Sequence, residues 1–263
     1  MRKFKKIKII FGVIIVLFLA FAGFIRQHYV VPIIMYHSVN PSAKPQNRLA
    51  ITDAAFERQM RFLKEHHYNV LPLEDLARLI KGKIKIPPKT TAITFDDGYR
   101  DNYIYAFPIL KKYNLPATIF IIVNEVGRPQ GDKLSWDEIK EMQASGLITI
   151  GSHTLTHKYL EEIKTEGELR KEVFDSKRIL EDKLSRQVNI FSYPSGTFTP
   201  LMRGLVIEAG YKLAAATNPG KNYPNNDIFA LKRLRISSTS DNLFVFWFET
   251  TGYYTFFKER RHK

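Results

Sequence analysis

The 263-residue chain has no cysteine. This excludes disulfides, thiolate metal ligands and cysteine nucleophiles, so any metal site must use nitrogen and oxygen donors. Low-complexity tracts and internal repeats are also absent, which removes repeat architectures. Acidic residues are scarce, 26 against 40 Lys and Arg, and the formal charge is +14. Such a surplus suits anionic surroundings such as nucleic acid, a membrane surface or an acidic cell wall. No nucleic-acid-binding motif accompanies it, so nucleic acid is not an expected partner. What remains is 44% hydrophobic and 25% charged, the composition of a folded globular protein, long enough for one large α/β domain.

Long uninterrupted apolar runs are missing too, with one exception. Ile9 to Ile25 carries no charge over 17 residues, and Arg2, Lys3, Lys5, Lys6 and Lys8 precede it. As a helix it would span roughly 26 Å at 1.5 Å per residue, close to the roughly 30 Å hydrocarbon core. The cations predict a cytoplasmic tail over 1–8, a transmembrane signal-anchor over 9–25 and an extracellular domain over 26–263. A cleaved signal peptide is the competing reading, with Ala20-Phe21-Ala22 as its site. The expected location is the cell membrane with the catalytic part outside, or secretion if the segment is cleaved. The oligomeric state is left open.

Beyond residue 26, short β-branched and apolar runs predict strands at Ile33–Tyr36, Thr91–Phe95, Ala117–Val123, Leu147–Ile150, Asn189–Tyr193, Leu213–Thr217 and Leu234–Ser237. Helical spacing falls between them. It appears at Phe56, Met60 and Leu63, at Trp136, Ile139 and Met142, at Leu169, Val173, Leu180 and Leu184, and at Leu201, Leu205 and Ala209. Alternating strands and helices predict a mainly parallel sheet or barrel.

Four polar motifs follow four of these strands. His37 follows the first and Asp96-Asp97-Gly98 the second. Gly151-Ser152-His153-Thr154-Leu155-Thr156-His157 and Pro194-Ser195-Gly196 follow two more. In a β/α barrel such strand ends converge on one face, where active sites form. One carboxylate of the Asp pair can ligate a metal while the other takes a proton from water. His153 and His157, four apart, share a face in a helix or tight turn and complete a His-His-carboxylate set suited to zinc, iron or cobalt. His37 is left for a general acid, and a backbone N–H in Phe191-Ser192-Tyr193-Pro194-Ser195-Gly196, a strand ending in a rigid turn, for an oxyanion. Each motif alone also has a bland reading, as a turn, a surface histidine or a packed one.

The Thr94-Phe95-Asp96-Asp97-Gly98 and His153-Thr154-Leu155-Thr156-His157 motifs, in this order, resemble those of polysaccharide deacetylases with NodB homology, carbohydrate esterase family four. The resemblance runs over roughly 31–237. It implies a distorted, incomplete (β/α) barrel and a divalent metal, zinc first, with cobalt, nickel or iron possible. It makes Asp96 the base, Asp97, His153 and His157 the metal ligands, and Tyr193 the oxyanion N–H donor and a wall of the acetyl pocket. Tyr193, Pro194 and Arg233 would bind substrate, with Arg233 near the carboxylates. The chain lacks the family's late Leu-x-x-His, because after His157 the only histidine is His262. Met35-Tyr36-His37-Ser38-Val39 instead resembles the subgroup acting on poly-β-1,6-N-acetylglucosamine, in which an early histidine is the acid. The usual arginine before the tyrosine of the third motif is missing.

The expected function is thus metal-dependent removal of acetyl groups from N-acetylglucosamine units of an extracellular or cell-wall polysaccharide. Poly-β-1,6-N-acetylglucosamine is favoured over peptidoglycan and chitin oligomers. A non-catalytic glycan-binding protein on the same scaffold and a non-haem iron oxygenase are the alternatives from other classes.

Overall fold

The computed structural model describes residues 2–27, 29–129, 131–159, 162–217, 224–255 and 258. In α1 (Arg2–Gln27) side chains are described only at 11–21, 23 and 24. The expected anchor, 9–25, therefore lies partly outside the described residues. Among the described residues no helix is long and apolar enough to cross a membrane.

The strands are β1 (Ile33–Tyr36), β2 (Ser38–Val39), β3 (Ala50–Ile51), β4 (Asn69–Val70), β5 (Thr90–Phe95), β6 (Ala117–Ile121), β7 (Ile148–Ser152), β8 (Ile190–Ser192), β9 (Leu213–Ala216), β10 (Leu231–Lys232) and β11 (Leu234–Arg235). The helices after α1 are α2 (Asp53–Glu65), α3 (Leu73–Lys81), α4 (Phe107–Tyr113), α5 (Trp136–Ala144), α6 (Glu166–Arg170), α7 (Ser176–Leu184), α8 (Pro200–Glu208) and α9 (Leu243–Thr250). Several begin on side-chain caps that satisfy N–H groups a helix start leaves bare. Thr52 caps α2, Ser135 and Glu138 form a reciprocal capping box on α5, and Thr199 caps α8.

All the strand pairs are parallel, in the order β10-β9-β8-β7-β6-β5-β1-β11, with β4 against the start of β5. β10 and β11 are one chain passage interrupted at Arg233. β10 pairs with β9 at one edge of the sheet and β11 with β1 at the other. This passage nearly closes the sheet into a barrel, in keeping with the distorted, incomplete (β/α) barrel expected. The expected strand Leu234–Ser237 is correspondingly shorter, ending at Arg235.

Alternate residues of a strand face opposite ways, so the barrel has two cores. Ile34, Tyr36, Ile93, Phe95, Ile119, Ile150 and Phe191 pack outward against the helices. Ile33, Ala92, Ile190, Leu213 and Leu231 pack inward at the amino ends of the strands, with Leu73, Leu76 and Ala77 of α3 sealing them, and Phe120 and Ala215 continue this core toward the carboxyl ends, where Arg233 lies over the Phe120 ring. Gly151 is required inside, since a Cβ there would stand 2.6 Å from the Phe120 ring.

Candidate active site

The carboxyl ends of the same strands bring together most of the expected residues. Asp96 directly follows β5 in phase with Thr94, and so points inward. It is buried, and Arg233 grips it with two hydrogen bonds, Nη1 to Oδ1 at 2.6 Å and Nη2 to Oδ2 at 2.7 Å. The other Arg233 donors reach Thr94 Oγ1 (3.3 Å), Ser192 Oγ (2.9 Å) and the Ala216 carbonyl (3.2 Å). All five guanidinium N–H groups are thus engaged, which makes this buried cation tolerable. Arg233 is 1% exposed. It anchors Asp96, in the place near the carboxylates that the resemblance implied, and its donors are spent there and not on substrate. Burial pushes the Asp96 carboxyl up, but Arg233 and His153 outweigh it and hold the pKa below the usual carboxylate range.

Asp97, His153 and His157 present their ligand atoms within 4.8 Å of one another. His153 Nε2 lies 3.4 Å and His157 Nε2 3.8 Å from Asp97 Oδ1. Ligands about 2.1 Å from a tetrahedral metal stand roughly 3.4 Å apart, so the spacing fits a single ion. His153 Nδ1 donates to the Ser192 carbonyl at 2.9 Å, which fixes the tautomer and turns Nε2 toward Asp97. Burial opposes ionisation of Asp97, yet the hydrogen bond and charge of His153 lower its pKa well below normal. His153 is itself raised, because Asp96 and Asp97 outweigh the desolvation that would lower it. Burial lowers His157, with His153 adding to the effect.

His157 reaches the cluster by a route the spacing did not indicate. Residues 153–159 form neither helix nor strand. Asp97, Thr154, His157 and Ser195 hold left-handed φ values of 71°, 69°, 57° and 56°, strain that the surroundings must impose. Buried Glu172 supplies part of that constraint by accepting from the N–H groups of Leu155 (3.0 Å) and Thr156 (2.8 Å). Glu172 sits in a wide turn of π type, Lys171–Asp175, joining α6 to α7. A second such turn, Asn102–Ala106 before α4, provides Asn102, whose amide donates to the His37 carbonyl at 2.8 Å. Such turns cluster at functional sites. Neither residue carried a sequence signal, since both act through tertiary contacts made by an irregular backbone.

His37 follows β1 and faces the same cleft, a cavity of about 320 Å³ that Asp96, Asp97, His153, His157, Ser195 and Tyr159 also line. Its buried Nδ1 has no partner among the described residues, and burial lowers its pKa against the pull of Asp96 and Asp97.

Tyr193 is placed differently from the expectation. Just past β8 it is in phase with Phe191 and points outward, where its ring stacks on Phe198 at 4.3 Å and its hydroxyl donates to the Phe229 carbonyl at 3.0 Å. Its N–H donates to the Ala215 carbonyl at 3.0 Å. An N–H engaged in the sheet is not offered to an oxyanion in the cleft. Pro194 has no N–H, is buried and does not line the cleft. Ser195 and Gly196 are the turn residues that do. Gly196 is obligatory there, since a Cβ would meet Thr217 at 2.1 Å. Arg235, Leu49 and Tyr159 complete the wall and were not foreseen.

Residues 83–214 match the family model for polysaccharide deacetylase. The chain belongs to the polysaccharide deacetylase family. It is accordingly a hydrolase of N-acetyl amide bonds. YxkH of Bacillus subtilis is 34% identical over 206 residues, covering 78% of this chain and 71% of its own. The poly-β-1,6-N-acetyl-D-glucosamine N-deacetylase of Staphylococcus aureus is 30% identical over 206 residues, covering 74% and 71%. Among solved structures, the Streptococcus pyogenes deacetylase PplD in complex with acetate superposes with a TM-score of 0.72 at 29% identity, covering 82% of this chain and 97% of that one. This deacetylase therefore has the NodB-type barrel that its motifs implied.

Proposed function

We propose that this deacetylase uses a divalent metal, zinc first by its donor set, to remove acetyl groups from N-acetylglucosamine units of an extracellular polysaccharide, with poly-β-1,6-N-acetylglucosamine the favoured polymer. One observation carries the reading. The Asp97, His153 and His157 cluster lies beside an ionised carboxylate, Asp96, clamped by Arg233, and His37 faces the same cleft. Two histidines and a carboxylate leave positions open for substrate, as catalytic zinc sites do. The bound ion would supply Lewis acidity toward the acetamide carbonyl and the attacking water.

The chain's own residues do the rest. Asp96, held ionised by Arg233, accepts the proton of the attacking water. His37 returns a proton to the departing nitrogen, so the C–N bond breaks to give acetate and a glucosamine amine. With the N–H of Tyr193 engaged by Ala215 and that of Gly196 by Tyr193, the N–H of Ser195 is the turn's candidate donor to the oxyanion. The choice of polymer is supported by the early histidine and by the Staphylococcus aureus relative named for that polymer.

The proposed location is the cell surface, with α1 as the anchor. Ile9 to Ile25 is uncharged, and Phe11, Leu17 and Phe18 are 65%, 63% and 67% exposed.

The test is acetate release by the full chain from poly-β-1,6-N-acetylglucosamine oligomers and from peptidoglycan in parallel, with chelation and zinc restoration. Release from the oligomers alone, lost on chelation and recovered with zinc, is expected. Release only from peptidoglycan overturns the polymer, and release that survives chelation overturns the metal.

A further inference from the structure

Because every strand runs parallel, each loop belongs to one end of the barrel or the other. The chemistry lies at the carboxyl ends. The amino ends carry a cavity of about 680 Å³, and nothing in the reaction uses it. Tyr29, Ile84, Tyr253, Lys83, Lys85 and Lys232 line it, and among the described residues in its wall there is no carboxylate. Lys83, Ile84 and Lys85 lie on an exposed loop after α3, and Ile84 is 56% exposed between the two cations. A second cavity of about 310 Å³ at this end adds Arg78, Lys81 and Lys212, with Glu74 as its acidic residue. The segment that follows α1 enters at the same place, since Tyr29 and Val30 also wall the larger cavity.

Apolar groups flanked by flexible cations match the boundary of a phospholipid layer, where ammonium groups meet phosphates while an apolar side chain sinks below them. A soluble sugar polymer would offer neither the anionic charge nor the apolar layer. We propose that the amino end of the barrel docks on an anionic phospholipid bilayer, with Ile84 inserted and Lys83 and Lys85 on the headgroup phosphates. This rests on the proposed cell-surface location and not on the proposed chemistry. Its consequence is orientation. The six residues of β5 separate the two ends by about 20 Å at 3.3 Å per residue, so the catalytic cleft opens away from the bilayer toward external polymer.

The absence of cysteine allows a clean probe. Ile84→Cys in the full chain, carrying an environment-sensitive fluorophore, is mixed with phosphatidylcholine vesicles with and without phosphatidylglycerol. A blue shift and rise in emission only with phosphatidylglycerol are expected, abolished by Lys83→Glu with Lys85→Glu while acetate release is unchanged. The same label at Ser42, an exposed residue at the carboxyl end, should not respond. Equal emission in both vesicles overturns the proposal. A shift with inorganic phosphate or a soluble polyanion alone overturns it in favour of an anion site. Flotation at high salt tests the anchor separately, because an embedded α1 resists salt whereas docking through lysines does not. A chain that floats through α1 with an unresponsive Ile84 label sinks the docking surface and spares the anchor.

Discussion

At the amino end of the barrel the inward positions are Ile33, Ala92, Ile190, Leu213 and Leu231, closed off by α3. Two residues further along the same strands stand Thr94, Ser192 and Arg233, and beyond them Asp96 and His153. Both ends are buried, but they are stabilised differently. The apolar end needs only shape, since each side chain gains by leaving water. The polar end must offset the charge it takes from water, and does so at its centre with one guanidinium holding one carboxylate. A substitution at the amino end should therefore change stability, while one at the carboxyl end should change chemistry.

The sharpest test of that division is Asp96→Asn. It should lower turnover by about 10²- to 10⁴-fold, the usual worth of a positioned base, while Asp97, His153 and His157 keep their affinity for zinc. Acetate release and equilibrium dialysis measure the two. Near-normal turnover, or lost zinc, would remove Asp96 from its role. Next is Arg233→Met, which strands Asp96 in the interior and should cost about 3–5 kcal/mol of stability. The sign with pH follows from linkage. The lowered pKa of Asp96 gives the wild type stability that is present above the ordinary carboxylate pKa and lost as pH falls through the folded value. The gap between variant and wild type in urea should accordingly be widest near neutrality and shrink in acid. A gap independent of pH would mean the arginine acts by packing. Leu76→Ala in the α3 seal is the counterpart at the other end. Leu76 is fully buried, and its truncation should cost about 2–5 kcal/mol with kcat unchanged in the folded enzyme. A fall in kcat there would break the comparison.

What could be read beforehand follows the same division. Strand ends and residue type gave Asp96, Asp97, His37 and His153 a common face, because strand periodicity and parallel direction are local properties. Tyr193 was expected from the resemblance to lend its backbone N–H and to wall the pocket, but its N–H goes to the Ala215 carbonyl and its ring turns away. Ile190 and Ser192 face inward, so Phe191 and Tyr193 cannot, because successive side chains of a strand face opposite sides. The α3 helix passed unnoticed because Glu74, Asp75, Arg78 and Lys81 obscure the short apolar stripe of Leu73, Leu76 and Ala77 that seals the barrel. The partner of Asp96 lies 137 positions away, and only closure of the barrel brings it near.

Glu172 is the weakest point of contrast, and so the most discriminating. It is a buried carboxylate at the polar end that touches none of the ligand atoms, yet it binds two backbone N–H groups of the loop carrying His157. If the polar end works by preorganisation, Glu172→Gln should cost about 10-fold in zinc affinity, the lower end of what residues supporting metal ligands contribute, because the amide keeps an acceptor but loses the charge. The unfolding midpoint of the metal-free protein should move little, since the variant leaves the barrel intact. Competition against a chromogenic chelator reads the affinity, and Glu172→Ala should weaken it further. Unchanged affinity in both variants would mean that Thr154, whose hydroxyl accepts from the His157 N–H at 3.0 Å, holds the strained turn without help, and that the charge at Glu172 serves the fold alone.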